Sequence, residues 1–256
     1  MKIKTTVLSA LFLLMFSISS AQGPDNAISR KIFAYGGQVN KEFIKYTAQL
    51  TGKKKPKICF LPTATGDNEW YINYWYELCH DLEVEPHVLK VWISSYTQKE
   101  SFEEILTRMD AIIVGGGNTL NMLAIWKAQN IDRALEKAYE KGIILAGGSA
   151  GSLCWFNGGT TDSRPGKLSI VRGLGLLDYS HCPHYSAEKS RRPLYHDNIS
   201  SDELADGYAC DDKSGILFVN GKAEKAVSLD KDNHSYYVYK KDGKVVEEKM
   251  HSEILP

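Results

Sequence analysis

The chain has 256 residues, of which 43% are hydrophobic, and its 31 basic side chains balance 31 acidic ones. This length and hydrophobic content are sufficient for a buried core in one large or two small domains. The neutral charge balance gives no reason to expect nucleic acid, an anionic membrane surface or a polyanionic substrate as a partner.

The N-terminal residues have the composition of an export signal. Lys2 and Lys4 precede an apolar stretch from Val7 to Ile18, and small residues, the last of them Ala21, follow at the spacing that a signal peptidase requires. The apolar stretch is shorter than the roughly 20 residues that span a bilayer. We therefore expect a signal peptide over residues 1–21, an exported (periplasmic or secreted) protein with no membrane partner after cleavage, and one domain over residues 22–256.

Apolar, β-favouring runs then alternate with amphipathic helical segments. Five runs are predicted strands: "KIFAYGG" (31–37), "KPKICFLPTAT" (55–65), "PHVLKVW" (86–92), "DAIIVGGG" (110–117) and "KGIILAGG" (141–148). Residues 101–109 are a predicted helix with Ser101 and Glu104 spaced as a capping box, and residues 131–142 are another that ends at Gly142. Because strands that are apolar throughout alternate with helices, the fold class is α/β, with a mostly parallel sheet covered on both faces.

The pattern changes after Phe156. Residues 157–167, "NGGTTDSRPGK", are predicted to form a turn-rich loop, and short strands dominate from Tyr208 onward. The Lys-Asp-Gly centre of "SYYVYKKDGKVVEEK" (235–249) predicts a hairpin. We expect one domain with a β-rich C-terminal edge, and we expect its five cysteines to be buried free thiols.

The segment Gly147-Gly148-Ser149-Ala150-Gly151 is a G-x-S-x-G sequence between a predicted strand and a predicted helix. This is the context of a nucleophile elbow, which exposes a serine side chain above the edge of the sheet. The N–H of Ala150 would then face the developing oxyanion, and a second donor would come from Gly117 or Gly116 in the neighbouring glycine-rich turn. The alternative is a tight packing turn without catalytic function.

A serine nucleophile needs a base, and the base needs an orienting carboxylate. His181 and His184, in "LDYSHCPHYS", are candidate bases, although composition does not choose among the seven histidines. A metal site made of His181, Cys182 and His184 lacks the usual ligand spacing. Asp211 and Asp212 end a predicted strand, so only one of the two side chains can reach the base.

Arg191 and Arg192 follow the second candidate base by seven and eight residues. A guanidinium at the site would hold a substrate carboxylate through two hydrogen bonds. The alternative is a basic, solvated helix start.

Several of these segments together resemble the peptidase E family, which comprises serine dipeptidases related to cyanophycinases. The resemblance rests on "GGGNTLNML", "GGSAGSLCWF", "TDS", "GLGLL", "CPHY", "RRPLYH" and "YACDDKSGILFVNGK", and spans most of residues 30–225. It implies a three-layer α/β/α fold similar to class I glutamine amidotransferases, with Ser149 as nucleophile, His184 as base and Asp212 as the acid. Asn118, Arg191 and Arg192 are the expected substrate-binding residues, and no metal or other cofactor is expected.

The leading hypothesis is a serine-type peptidase that hydrolyses short peptides through an acyl-enzyme on Ser149. Alternatives are a cyanophycinase-like hydrolase of isoaspartyl or other amide bonds, and a catalytically silent peptide-binding homologue. A short peptide is the expected partner, and a second copy of the chain, forming a homodimer, is a further candidate. Nucleic acid is not an expected partner.

Overall fold

The computed structural model describes residues 28–93 and 96–256. The expected signal peptide, residues 1–21, therefore lies outside the described residues. Among the residues that are described, no helix combines the length and hydrophobicity that crossing a membrane requires.

The described residues form fourteen strands, seven α-helices and one short 3-10 turn at Thr63–Thr65. The strands are β1 (Lys31–Tyr35), β2 (Lys57–Leu61), β3 (Glu85–Val88), β4 (Ala111–Val114), β5 (Ile144–Gly148), β6 (Phe156–Thr161), β7 (Ser169–Arg172), β8 (Leu177–Cys182), β9 (Gly207–Cys210), β10 (Ser214–Val219), β11 (Lys222–Ser228), β12 (Ser235–Lys241), β13 (Lys244–Lys249) and β14 (Ser252–Ile254). The helices are α1 (Lys41–Leu50), α2 (Glu69–Cys79), α3 (Phe102–Leu106), α4 (Thr119–Ala128), α5 (Ile131–Glu140), α6 (Ala150–Leu153) and α7 (Arg191–Ser200).

The larger sheet has eight strands in the order β14-β11-β10-β1-β5-β4-β2-β3. Strands β1 to β5 pair in parallel, as predicted from the five apolar runs. Alternate side chains of β1 enter two different cores: Ile32 and Ala34 lie on one face, and Phe33 and Tyr35 on the other. Helices cover both faces, which confirms the three-layer α/β/α fold.

The two faces are covered by different helices. Phe43 of α1 packs against Phe33 and Trp75 of α2 against Phe60, whereas Leu106 of α3, Trp126 of α4 and further residues of α5 pack into the core on the opposite face. Helix α3 begins with the predicted capping box, in which the side chains and backbone N–H groups of Ser101 and Glu104 bond reciprocally.

A second sheet of six strands, in the order β13-β12-β9-β8-β6-β7, was not predicted. The prediction of a loop over 157–167 was wrong for its first half, because residues up to Thr161 form β6. Its glycines gave the segment the composition of a turn. In the structure, Gly159 is paired on both sides, with Val171 of β7 and His181 of β8.

The C-terminal strands extend both sheets, as the predicted β-rich edge implied. Strands β10, β11 and β14 continue the larger sheet beyond β1. Strands β12 and β13 form the predicted hairpin, and its turn residues Asp242 and Gly243 have positive φ angles of 50° and 75°. The sheets share a core in which Phe156 and Tyr208 of the second sheet pack edge-on against Phe218 of the first.

Candidate active site

Ser149 occupies the sharp turn between β5 and α6. Its backbone has φ 54° and ψ −118°, a conformation that non-glycine residues seldom adopt. Gly151 is required on the far side of the turn, because a Cβ there would lie 2.1 Å from the carbonyl oxygen of Val114 in β4. The segment therefore has the local geometry of a nucleophile elbow at the carboxyl edge of the parallel strands.

His184 lies within hydrogen-bond distance of this serine. It follows β8 and Pro183, and its side chain is only 14% exposed. Its Nε2 atom lies 2.8 Å from Oγ of Ser149. The structure thus brings together the serine and one of the two candidate bases in the geometry that proton transfer requires.

Asp212 contacts the opposite side of the same imidazole. Its Oδ1 lies 2.7 Å from Nδ1 of His184. Because a carboxylate only accepts hydrogen bonds, Nδ1 carries the proton and the lone pair of Nε2 faces the hydroxyl of Ser149. The hydrogen bond from His184 holds the pKa of Asp212 below its usual range. The catalytic roles of the three residues stay a prediction.

The adjacent acid, Asp211, binds backbone groups instead. Its side chain is buried, with Oδ1 accepting from the N–H of Ser186 at 3.0 Å and Oδ2 from the N–H of His234 at 2.8 Å. Of the two acids that the sequence left open, Asp212 contacts the imidazole, and Asp211 fixes the backbone two residues beyond His184.

His181, the other candidate base, is fully buried away from Ser149. Its Nδ1 lies 3.0 Å from the carbonyl oxygen of Tyr208, its Nε2 lies 3.0 Å from Oγ of Ser152, and its ring stacks on Phe156. Burial lowers the pKa of His181 to about 3, so the ring is neutral. The carbonyl can only accept, so Nδ1–H donates to it. The unprotonated Nε2 then faces Oγ of Ser152, whose one proton is shared between this nitrogen and the carbonyl oxygen of Ser149, 2.8 Å from Oγ.

The side chains of the alternative metal site point to separate partners. Oγ1 of Thr160 lies 3.0 Å from the sulfur of Cys182, while His181 and His184 make the contacts described above. Across residues 28–93 and 96–256, no group of three or more His, Cys, Asp or Glu side chains is arranged to hold a metal ion.

The predicted oxyanion donors are backbone N–H groups next to Ser149. Ala150 is the first residue of α6, so its N–H has no intrahelical acceptor. In the neighbouring turn, Gly116 lies against the nucleophile, since a Cβ on it would be 3.1 Å from the Cβ of Ser149. Gly117, with φ 134°, packs against the backbone of Ala64. The donor roles of Ala150 and Gly117 stay a prediction, and Gly116 is the nearer residue of the turn.

Two of the three predicted substrate ligands make contacts within the protein that are unrelated to Ser149. Asn118 caps helix α4: its Oδ1 accepts from the N–H of Asn121 at 2.9 Å, and its Nδ2 donates to the carbonyl of Ser163 at 3.1 Å. The half-exposed side chain of Arg192 places Nη2 at 3.2 Å from a carboxylate oxygen of Glu247. Their roles in substrate binding stay predictions.

Arg191, the third predicted ligand, is 2% exposed. Its guanidinium donates to both carboxylate oxygens of Glu188, at 2.7 and 3.2 Å, and to the carbonyl of Thr160 at 3.2 Å. The N–H of Glu188 in turn donates to the carbonyl of His184 at 3.2 Å. Arg191 therefore connects the turn after His184 to strand β6, and its donors face the protein.

A cavity of about 360 Å³ adjoins the site and was not predicted from the sequence. It reaches Gly116, the residue beside Ser149. Its wall is largely aromatic, formed by Phe60, Trp70, Tyr71, Tyr74 and Trp75. The sequence does contain a signal for this cavity: the segment "EWYINYWYEL" (69–78) has more aromatic residues than one buried helix face needs.

Two solved structures share this fold. A peptidase from an acI-B1 Actinobacterium has a TM-score of 0.67 at 16% identity, covering 88% of this chain and 96% of that one. A putative peptidase E protein from Listeria monocytogenes EGD-e has a TM-score of 0.61 at 18% identity, covering 79% of this chain and all of that one. At such identities the likeness establishes the fold alone.

Sequence comparison establishes the family. The uncharacterized peptidase YgaJ of Bacillus subtilis (strain 168) is 38% identical over 224 residues, covering 85% of this chain and 96% of that protein. Peptidase E of Shewanella denitrificans is 29% identical over 149 residues, covering 57% of this chain and 59% of that protein. The model of peptidase family S51 matches residues 33–226, more than half of the chain. The resemblance to peptidase E is thereby confirmed, and the chain is a peptidase that belongs to peptidase family S51.

Proposed function

We propose that this peptidase is a serine-type enzyme that hydrolyses short peptides through an acyl-enzyme on Ser149. The observation that carries the proposal is the continuous pair of hydrogen bonds from Ser149 Oγ to His184 Nε2, at 2.8 Å, and from His184 Nδ1 to Asp212 Oδ1, at 2.7 Å. Membership of family S51 and the similarity to a peptidase E support a short peptide as the substrate.

In the acylation half, His184 Nε2 takes the hydroxyl proton as Ser149 Oγ attacks the carbonyl carbon of the peptide bond. Asp212 stabilises the imidazolium and keeps its ring oriented. The tetrahedral oxyanion accepts hydrogen bonds from the N–H of Ala150 and from the Gly116–Gly117 turn. Collapse of this intermediate breaks the C–N bond, and the amine leaves with the proton from His184.

In the deacylation half, the same groups act on water. His184 Nε2 takes a proton from a water molecule, whose oxygen attacks the ester carbon of the acyl-enzyme. The second tetrahedral intermediate then expels Ser149 Oγ, which recovers its proton from His184. The products are a carboxylic acid and an amine, and the reaction uses only groups of the protein and water.

The proposal is tested by assaying purified protein against a dipeptide library that includes Asp-X and isoaspartyl members. Ser149→Ala is expected to abolish turnover, and Asp212→Asn to lower kcat roughly 10⁴-fold because the imidazole loses its orienting acceptor. Asp211→Asn is the matched control: Asp211 accepts from backbone N–H groups and does not bond the imidazole, so its replacement should lower stability and reduce kcat far less than Asp212→Asn. Equal, slow turnover by wild type and Ser149→Ala across the library would falsify the proposal.

Product masses separate this proposal from its alternatives. Release of free amino acids from α-linked dipeptides supports a dipeptidase, whereas cleavage restricted to β-linked aspartyl bonds indicates a cyanophycinase-like hydrolase. A covalent serine probe provides a further check. Peptide binding without any labelling of Ser149 would indicate a catalytically silent homologue.

A further inference from the structure

The aromatic-walled cavity beside Ser149 has a chemistry that indicates what fills it. We infer that this cavity is a substrate subsite for an aromatic or large aliphatic side chain; as a substrate subsite, the inference rests on the proposed function. The subsite would make the enzyme prefer apolar residues to acidic ones next to the cleaved bond.

The cavity adjoins the nucleophile at the glycine-rich turn. Gly115 and Gly116 line it, and a Cβ on Gly116 would lie 3.1 Å from the Cβ of Ser149 and 3.0 Å from Oε1 of Gln38. Because Gly116 has no side chain, the cavity reaches within one residue of the serine. A substrate whose carbonyl carbon is at Ser149 can therefore place a neighbouring side chain in it.

The wall of the cavity is ordered by aromatic stacking. Trp75 of α2 stacks on Phe60 of β2, with ring centroids 5.1 Å apart, and Trp70 stacks on Tyr74 at 5.3 Å. Trp70 is nevertheless 63% exposed and Tyr74 36% exposed. Exposed aromatic rings that form a concave surface are typical of a binding site for an apolar group, because an occupant removes them from water.

The charges near the site disfavour an acidic occupant. None of the residues that line the cavity, all of them in the described part of the chain, is Lys, Arg, His, Asp or Glu. Arg191 is buried and already donates to Glu188 and Thr160, and Arg192 pairs with Glu247. A substrate aspartate in this cavity would lose its hydration without gaining a cation.

The volume agrees with one large side chain. An apolar cavity of about 150 Å³ is sufficient for benzene, and ligand pockets begin at about 300 Å³. At about 360 Å³, this cavity accommodates a phenylalanine or leucine side chain.

The inference is tested by binding and turnover measured separately. Calorimetry on Ser149→Ala compares the dipeptides Phe-Ala, Ala-Phe, Asp-Ala, Ala-Asp and Ala-Ala. We expect a phenylalanine peptide, in one of the two orders, to bind at least about 10-fold more tightly than Ala-Ala and more tightly than either aspartyl peptide. Wild type should show the same order in kcat/KM.

Two arginine variants on helix α2 test whether the preference for phenylalanine peptides depends on the cavity. Tyr74 and Tyr76 lie on the same helix and are 36% and 45% exposed, but only Tyr74 lines the cavity; Tyr76 lines a separate groove. Tyr74→Arg, added to Ser149→Ala, is expected to reduce the preference for phenylalanine at least about 10-fold and to improve binding of the aspartyl peptide. Tyr76→Arg should change neither the preference for phenylalanine nor the binding of the aspartyl peptide.

The inference is overturned if the aspartyl peptides bind more tightly than the phenylalanine peptides, or if the two arginine variants have equal effects. The outcomes also separate it from the proposed function. Turnover without a Tyr74-dependent preference rejects the subsite and keeps the serine peptidase. A Tyr74-dependent preference in Ser149→Ala, with no turnover by wild type, keeps the cavity as a peptide-binding site and rejects the serine peptidase.

Discussion

Ser149 and His184 share an unusual backbone conformation, with φ angles of 54° and 53°. Side chains disfavour this region, so each residue is held there by its surroundings. The N–H of Ser149 donates to the carbonyl of Tyr35 in β1 at 3.3 Å, and the N–H of Tyr185, next to His184, donates to the carbonyl of Cys210 at 3.1 Å. Both candidate catalytic side chains are thus fixed at the cost of local strain.

This strain predicts a difference in stability between two variants that lack the hydroxyl of Ser149. Ser149→Gly should be more stable than Ser149→Ala by about 1 kcal/mol, because glycine relieves a side-chain clash that outweighs its greater backbone entropy in the unfolded chain. Urea unfolding of the two variants measures the difference. Equal free energies of unfolding would show that the turn at Ser149 is not strained.

Arg191 joins the turn after His184 to strand β6 through buried hydrogen bonds. Arg191→Met keeps much of the packing of the side-chain stem but removes the hydrogen bonds to Glu188 and Thr160, which leaves a buried carbonyl without its donor. We expect a loss of about 2 kcal/mol in the free energy of unfolding, together with a lower kcat as the turn after His184 loosens. Urea unfolding and steady-state kinetics measure both effects.

Arg192→Met is the control for this variant. Arg192 is 42% exposed, pairs with Glu247 and lies over the ring of Tyr185, so its removal should cost less than about 1 kcal/mol. A direct role of Arg191 in substrate binding makes the opposite prediction for Arg191→Met: a higher KM with unchanged stability.

At the scale of elements, the sequence predicted what local patterns encode. The continuous apolar runs that identify buried parallel strands, the Ser101–Glu104 capping box and the Asp-Gly hairpin all have short-range signals, and all occur. Strand β6 was missed because Gly158 and Gly159 serve there as paired strand residues. That pairing depends on β7 and β8, which lie further along the chain.

A neutral histidine joins helix α6 to the second sheet by hydrogen bonds. His181 of β8 lies between Ser152 of α6 and the carbonyl of Tyr208 in β9. Burial lowers the pKa of His181 to about 3, below the value of 6.5 of an unfolded chain. Between pH 6.5 and 3, the unfolded state therefore binds a proton that the folded state does not bind. The contribution of the neutral ring to the free energy of unfolding is present in full above pH 6.5, and it is lost progressively as the pH falls towards 3.

Below pH 6.5, we expect protonation of this histidine in the unfolded chain to lower the free energy of unfolding by up to about 1.4 kcal/mol for each pH unit. His181→Asn keeps an amide donor for the Tyr208 carbonyl but does not titrate, so it should be less stable at pH 7.5 and show a shallower loss towards pH 5. The difference between the two urea-unfolding series isolates His181 from other titrating groups. If the free energy of unfolding falls equally with pH in wild type and in His181→Asn, His181 is not a neutral, buried imidazole in the folded protein.

At the scale of the whole molecule, the candidate triad is assembled from both sheets. Ser149 follows β5 of the larger sheet, His184 follows β8 of the second sheet, and Asp212 lies where the chain passes from β9 to β10. The elbow could be identified from five consecutive residues. The choice of His184 over His181, and of Asp212 over Asp211, depended on how the two sheets pack, apart from what the family resemblance implied.

The same packing predicts the behaviour of the cysteines. All five are buried thiols, and burial raises the pKa of Cys59, Cys79, Cys182 and Cys210 to about 12 and that of Cys154 well above its usual range. Both the access and the thiolate that a disulfide reagent requires are therefore missing in the folded state.

Native protein at pH 8 should accordingly react with less than one equivalent of Ellman's reagent over minutes, and with five after denaturation. A reductant should leave the melting temperature unchanged, because no disulfide joins the five cysteines in the structure. Fast labelling of one thiol in native protein would show that part of the core opens locally. A melting temperature that falls with reductant would show that a disulfide contributes to stability. If labelling is slow and the melting temperature does not change, the labelling rate of the native protein measures how often the core that both sheets share opens.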